Sequence, residues 1–124
     1  FCTVSRSRTN TPLQALAMMH SPEYVEAARH LGALLLSFEG NDEIRLRKGF
    51  ERITPRPPRP EELAILSKSL ADETARFTAD PEAAQTLLSV GISGRDEGLD
   101  PISHAAMTSV ARLLLNLDEA IHKN

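Results

Sequence analysis

Four times in this chain a side chain able to cap a helix stands before a proline that opens a run of helical apolar spacing: Thr11-Pro12, Ser21-Pro22, Asp80-Pro81 and Asp100-Pro101. The hydroxyl or carboxylate accepts a backbone N–H that has no partner within the first turn, and proline at the first helical position has its φ already set. Each such step starts a helix and contributes about 1 kcal/mol by capping. At the first of them Gln14 follows Thr11 by three residues, which completes a capping box. The four steps are unevenly spaced, which argues against a solenoid repeat. A further boundary is written by Thr54-Pro-Arg-Pro-Pro-Arg-Pro60, whose prolines remove backbone donors and push their predecessors into extended conformations, making it a rigid connector.

Between these boundaries apolar residues recur at helical spacing. A short helix is expected over 12–19 with Leu13, Leu16 and Ala17 inward. A longer one follows from Pro22, burying Tyr24, Ala27, Ala28, Leu31, Leu34, Leu35 and Phe38 and ending at Glu39-Gly40-Asn41. Asp42 is expected to cap a third helix carrying Ile44, Leu46, Phe50 and Ile53 on one side and Arg45, Arg47, Lys48 and Arg52 on the other. Pro60 opens a fourth, with Leu63, Ile65, Leu66, Leu70, Ala71, Thr74 and Phe77 inward. Ala83, Ala84, Leu87 and Leu88 form a fifth that closes at Gly91. The stretch 91–99, with three glycines and no pattern, reads as the most mobile part of the chain. The last helix runs from Pro101 through Ile102, Ala106, Val110, Leu113, Leu114, Leu117 and Ile121. The expected fold is all-α, an irregular bundle of about six helices whose second, fourth and sixth form the main walls.

Composition supports this reading. Leu and Ala together supply 32 residues against 4 Val, with no Trp, which favours helix over sheet. A chain of 124 residues is expected to be one domain or part of one and reads as a single helical domain over residues 1–124; a compact chain of this size buries roughly two-thirds of its unfolded surface. Net charge of −3 gives no pull toward nucleic acid or anionic lipid, so no nucleic-acid partner and no membrane insertion are expected. The lone Cys2 cannot close an internal disulfide, and the start at Phe1 suggests a piece of something longer.

Several segments carry a resemblance. Arg8-Thr-Asn-Thr-Pro-Leu-Gln-Ala-Leu16, Glu26-Ala-Ala-Arg29, Arg56-Pro-Pro with Glu62-Leu63, and Leu114-Leu-Asn-Leu-Asp-Glu119 together resemble the planctomycete PSD-one family, domain of unknown function fifteen fifty-three. The resemblance implies the C-terminal half of that domain, at the end of large exported or periplasmic proteins, many with a c-type cytochrome region elsewhere. It also marks departures: Met107 stands where the family usually has Trp, Ala120 replaces an aromatic, and Arg59 replaces a Thr or Ser cap.

Candidate chemistry is sparse. His20, His30, His104 and His122 are never three, four or five apart, and no HExxH, CxxC or CxxCH occurs, so no metal site, no cofactor and no heme attachment are expected in this chain. The histidines read as surface or helix-end residues. Gly91-Ile-Ser-Gly94 lacks the Lys-Ser/Thr and preceding strand of a phosphate loop and reads as a connector. The basic set Arg45, Arg47, Lys48, Arg52, Arg56 and Arg59 reads as a solvated face or an interdomain contact.

Asn116, Asp118 and Glu119 interrupt an apolar run in the last helix. Adjacent helical positions diverge by about 100°, so Asp118 and Glu119 do not face one substrate and no catalytic residue is assigned. They are expected instead to form a structural clasp with Arg6, Arg8, Asn10, Thr11 and Gln14 at the other end of the chain. The expected role is a non-catalytic helical module that contacts other domains of its parent protein and self-associates when isolated. The alternative is part of an extracellular carbohydrate- or organic-substrate-processing enzyme coupled to a c-type cytochrome region.

Overall fold

Three of the four cap-proline steps fall within residues 21–91 and 94–123, which the computed structural model describes with side chains as far as Leu117, and each of the three starts a helix. Ser21 Oγ accepts from Tyr24 N at 3.2 Å, Asp80 Oδ1 from Ala83 N at 3.3 Å and Asp100 Oδ2 from Ser103 N at 2.9 Å. The helices are α1 Pro22–Ser37, α2 Asp42–Ile53, α3 Pro60–Ala79, α4 Pro81–Leu88 and α5 Pro101–Lys123, with no strand among the described residues. The fold is all-α. Five helices stand where about six were expected, because the helix expected over 12–19 lies outside the described residues.

One boundary differs in detail. Asn41, not Asp42, caps α2, its Oδ1 accepting from Ile44 N at 2.9 Å, and Asp42 becomes the first helical residue with its carboxylate 3.3 Å from Arg45 Nη1. An acid at that position still favours the helix, because it faces the positive end of the macrodipole. Between α1 and α2 the chain turns through Gly40 at φ +116°, a conformation that L side chains rarely adopt.

α5 is the axis of the bundle. The expected three walls correspond to α1, α3 and α5, but α1 and α3 pack on α5 rather than on each other, and α4 joins them there. α2 divides its contacts among α1, α3 and α5. The consequence is visible along α5 itself, where His104, Ala105, Ala106, Met107 and Thr108 are buried in unbroken succession, followed by Val110, Ala111 and Leu114. A helix buried on every side must have neighbours on every side.

Packing is closest where glycines face other helices. A Cβ on Gly32 of α1 would come within 3.0 Å of Thr108 N and 3.2 Å of Met107 C, so only glycine lets α1 and α5 approach backbone to backbone. Met107 is buried at this crossing. A Cβ on Gly49 of α2 would meet Leu35 Cδ2 at 2.7 Å. The buried stripe of α1 is therefore Val25, Ala28, Arg29, Gly32 and Leu35, and Ala27, expected inward, is exposed. On α3 the stripe is Leu66, Leu70 and Phe77, while Ile65 is 63% exposed and Ala71 also faces out. Ile65 precedes Leu66 by one position and so points about 100° away from it.

Candidate functional site

The proline connector is held by one ion pair. α2 ends at Thr54, whose buried hydroxyl lies 2.9 Å from Phe50 O and 3.0 Å from Arg56 O and can donate to either. This aims Arg56 at the start of α3. Its Nη1 donates to Glu62 Oε1 and its Nη2 to Glu62 Oε2, both at 2.8 Å, and its guanidinium lies 5.1 Å from the centre of the Phe50 ring. Glu62 Oε1 also accepts from Arg59 N at 2.8 Å. Glu62 thus makes the N3 half of a capping box, while Arg59, whose side chain has no acceptor, cannot make the other half. The Arg56 guanidinium first, then the Arg59 N–H, pull the Glu62 carboxyl down to about 2, and Glu62 raises Arg56 in return.

A second polar junction lies where α1, α4 and α5 meet. Arg29 is buried on α1, its Nη1 donating to Leu88 O at 3.0 Å and its Nη2 standing 3.5 Å from Glu26 Oε2. From α5, His104 brings Nε2 to 3.1 Å from Arg29 O. His104 is 1% exposed, which corrects the expectation of a surface or helix-end role, and burial pushes its pKa below the ordinary histidine value. His30 is exposed on α1, 4.0 Å from Glu26 Oε2; the side chains of His20 and His122 lie outside the described residues. Beside the junction is a cleft of about 500 Å³ lined by Arg29, Gln85, Leu88, Ser89, Gly94, Arg95 and Glu97. Arg95 Nη2 donates to Leu99 O at 2.8 Å. α4 closes at Leu88 with Ser89 as its cap, and Gly91, expected there, follows at φ +99° against the Glu26 side chain.

Elsewhere charge is paired along helix faces. Arg45 reaches Phe38 O at 3.0 Å, Arg47 lies 3.4 Å from Glu43, and Lys48 stands 5.5 Å over the Phe38 ring. Glu73 of α3 is bonded to Arg76 and to Ser109 of α5, which lower its pKa. Among the described residues no three His, Cys, Asp or Glu side chains cluster as metal ligands would, and no described helix is long and apolar enough to cross a membrane.

Of the clasp residues, Arg6, Arg8, Asn10, Thr11 and Gln14 lie outside the described residues. Asn116, Asp118 and Glu119 lie on α5; Asn116 is half-buried, and the side chains of the other two are outside the described set. Sequence reasoning passed over Arg29 and His104 as participants, because spacing rules count apolar residues. The signal for Arg29 was its place in the segment Glu26-Ala-Ala-Arg29, which the structure turns into an ion pair.

Compared with known proteins, residues 1–70, more than half of the chain, match the PSD1 family, described as a protein of unknown function (DUF1553). The chain belongs to this family. No curated protein and no solved structure matches it. The PSD1 match takes in both the Glu26–Arg29 and the Arg56–Glu62 pairs. It ends within α3 and so leaves out the axial helix.

Proposed function

We propose that this PSD1 chain is a non-catalytic helical module, the C-terminal part of a larger exported protein, which supplies structure and an interaction surface to the other domains of that protein. The observation that carries the reading is the use to which its acid–base pairs are put. Arg56 and Glu62 bind the connector to the start of α3, and Arg29 binds α1 to the end of α4. Side chains engaged in this way hold helices together and are not free to handle a substrate. Large apolar side chains that remain exposed, Ile44, Ile65 and Leu117, offer contact area to another domain or, in the isolated chain, to a second copy. The clasp between Arg6, Arg8, Asn10, Thr11 and Gln14 and the end of α5 belongs to the same proposal.

The test is to produce the remainder of the parent protein separately and titrate it with this chain in a calorimeter. Saturable binding supports the docking role. No binding, together with an unchanged melting profile of the parent when residues 1–124 are deleted, contradicts it. A second reading, part of an extracellular carbohydrate- or organic-substrate-processing enzyme coupled to a c-type cytochrome region, draws support from the polar lining of the cleft at Arg29, Gln85, Ser89 and Arg95. It predicts that Gln85→Ala and Arg95→Ala abolish turnover in the whole protein without unfolding it.

A further inference from the structure

We propose that the junction of α1, α4 and α5 at His104 is an acid-sensitive joint, in which protonation of one fully buried imidazole loosens α1 and α4 from the N-terminal half of α5. This goes beyond the role proposed above, which needs a folded module but no response to its surroundings.

The geometry sets the protonation state. A carbonyl oxygen only accepts, so His104 Nε2, 3.1 Å from Arg29 O, carries the proton and Nδ1 carries the lone pair. Nδ1 is buried and has no hydrogen-bond partner among the described residues. A second proton must go to Nδ1. It would create a donor with nothing to receive it and a positive charge in a site closed to water.

The surrounding charges do not rescue that cation. α1 presents the Arg29 guanidinium, itself 3.5 Å from Glu26, and the segment after α4 presents Arg95 and Asp96. Arg95 and Arg29 oppose an imidazolium, Asp96 favours it, and burial outweighs all three. α4 offers the Leu88 carbonyl, already engaged by Arg29 Nη1 at 3.0 Å. On α5 the Thr108 hydroxyl donates to the His104 carbonyl at 2.7 Å and leaves the ring alone.

Relief comes when the imidazolium turns toward water. It then gives up Arg29 O, which removes the hydrogen bond holding α5 to the residue whose guanidinium ties α1 to Leu88 of α4, and loosens α1 and α4 from α5. The sign follows from proton counting. The folded state holds His104 below the ordinary value near 6.5, so its contribution is fully present above about pH 6.5 and is lost as pH falls below it, the unfolded chain binding the extra proton.

The test uses the full chain. Urea unfolding from pH 8 to pH 5 compares the native chain with His104→Gln, whose amide can still donate to Arg29 O but does not titrate, and with His30→Gln as the exposed control. Between pH 7.5 and 5.5 the folding equilibrium constant should fall further in the native chain than in His104→Gln, by up to about tenfold, the limit set by protonation of the unfolded chain, while His30→Gln keeps the native profile. Amide hydrogen exchange at pH 5.5 should accelerate in α1 and α4 more than in α2 and α3. An unchanged pH profile in His104→Gln, or a His104 Cε1–H resonance that titrates like an exposed histidine, overturns the proposal. Where His104→Gln does not fold, the resonance and the exchange pattern of the native chain decide it.

Discussion

Arg56 and Glu62 meet through two parallel hydrogen bonds of 2.8 Å across three of the connector's four prolines. The prolines restrict the backbone between them, so little further entropy is lost when the two side chains lock. The same carboxylate receives the Arg59 N–H, so one residue closes the connector and starts α3.

Glu62→Gln is therefore expected to lower the melting temperature, because it removes the charge while keeping the shape. Glu62→Ala should lower it further by also orphaning Arg59 N–H. The folded pKa of Glu62, about 2, lies below its ordinary 4.5, so its contribution is complete above that ordinary value and disappears as pH falls from about 4.5 toward 2. Urea midpoints recorded over that range should drop more steeply for the native chain than for Glu62→Gln.

Gly32→Ala sets helix propensity against sterics. Alanine gains about 1 kcal/mol in a helix interior, yet its Cβ would sit 3.0 Å from the Thr108 backbone nitrogen, and a backbone in the middle of α5 has nowhere to move. The net expectation is a loss of about 1–3 kcal/mol in urea unfolding. Gly49→Ala should cost less, because the atom in its way, Leu35 Cδ2, is the end of a side chain that can turn.

Helix starts were legible in the sequence because capping is local chemistry. Ser21, Asp80 and Asp100 each accept the N–H that their position before proline implied. Helix faces were less so. Ala27 was expected inward and faces out, while Arg29 and Gly32 line the buried side of α1, one because its long side chain reaches a carbonyl on α4, the other because it has no side chain. Both reasons lie in the partner helix and leave no trace in the spacing of α1. The same holds for His104, whose acceptor is a backbone oxygen 75 residues away.

The proposed clasp between Asn10 and Asp118 makes a quantitative claim. Unpaired buried polar groups cost about 1–3 kcal/mol each, so Asn10→Ala and Asp118→Ala should each destabilise by that amount. If they share one network, the double mutant loses clearly less than the sum. A double-mutant cycle by urea unfolding measures the coupling, and strict additivity contradicts it.

The axial position of α5 yields the last prediction. Residues 1–70, which carry the family match, hold α1, α2 and the first half of α3 but none of the helix on which they pack. Ending the chain at Leu99 exposes Val25, Ala28 and Leu35 of α1 together with Leu66, Leu70 and Phe77 of α3, all buried in the whole chain. At about 1.5–3 kcal/mol for each of the five large side chains returned to water, the loss is about 7.5–15 kcal/mol, as large as the roughly 5–15 kcal/mol by which a domain is usually stable. Capping cannot compensate, since the side-chain caps of α1, α2 and α4 together supply only a few kcal/mol. The fragment 1–99 should therefore show weak helical circular dichroism and no cooperative urea transition, and a synthetic peptide of residues 100–124 should restore both on mixing. A cooperative transition in 1–99 alone would mean that α1 to α4 form a core of their own and that α5 is an addition to the fold instead of its centre.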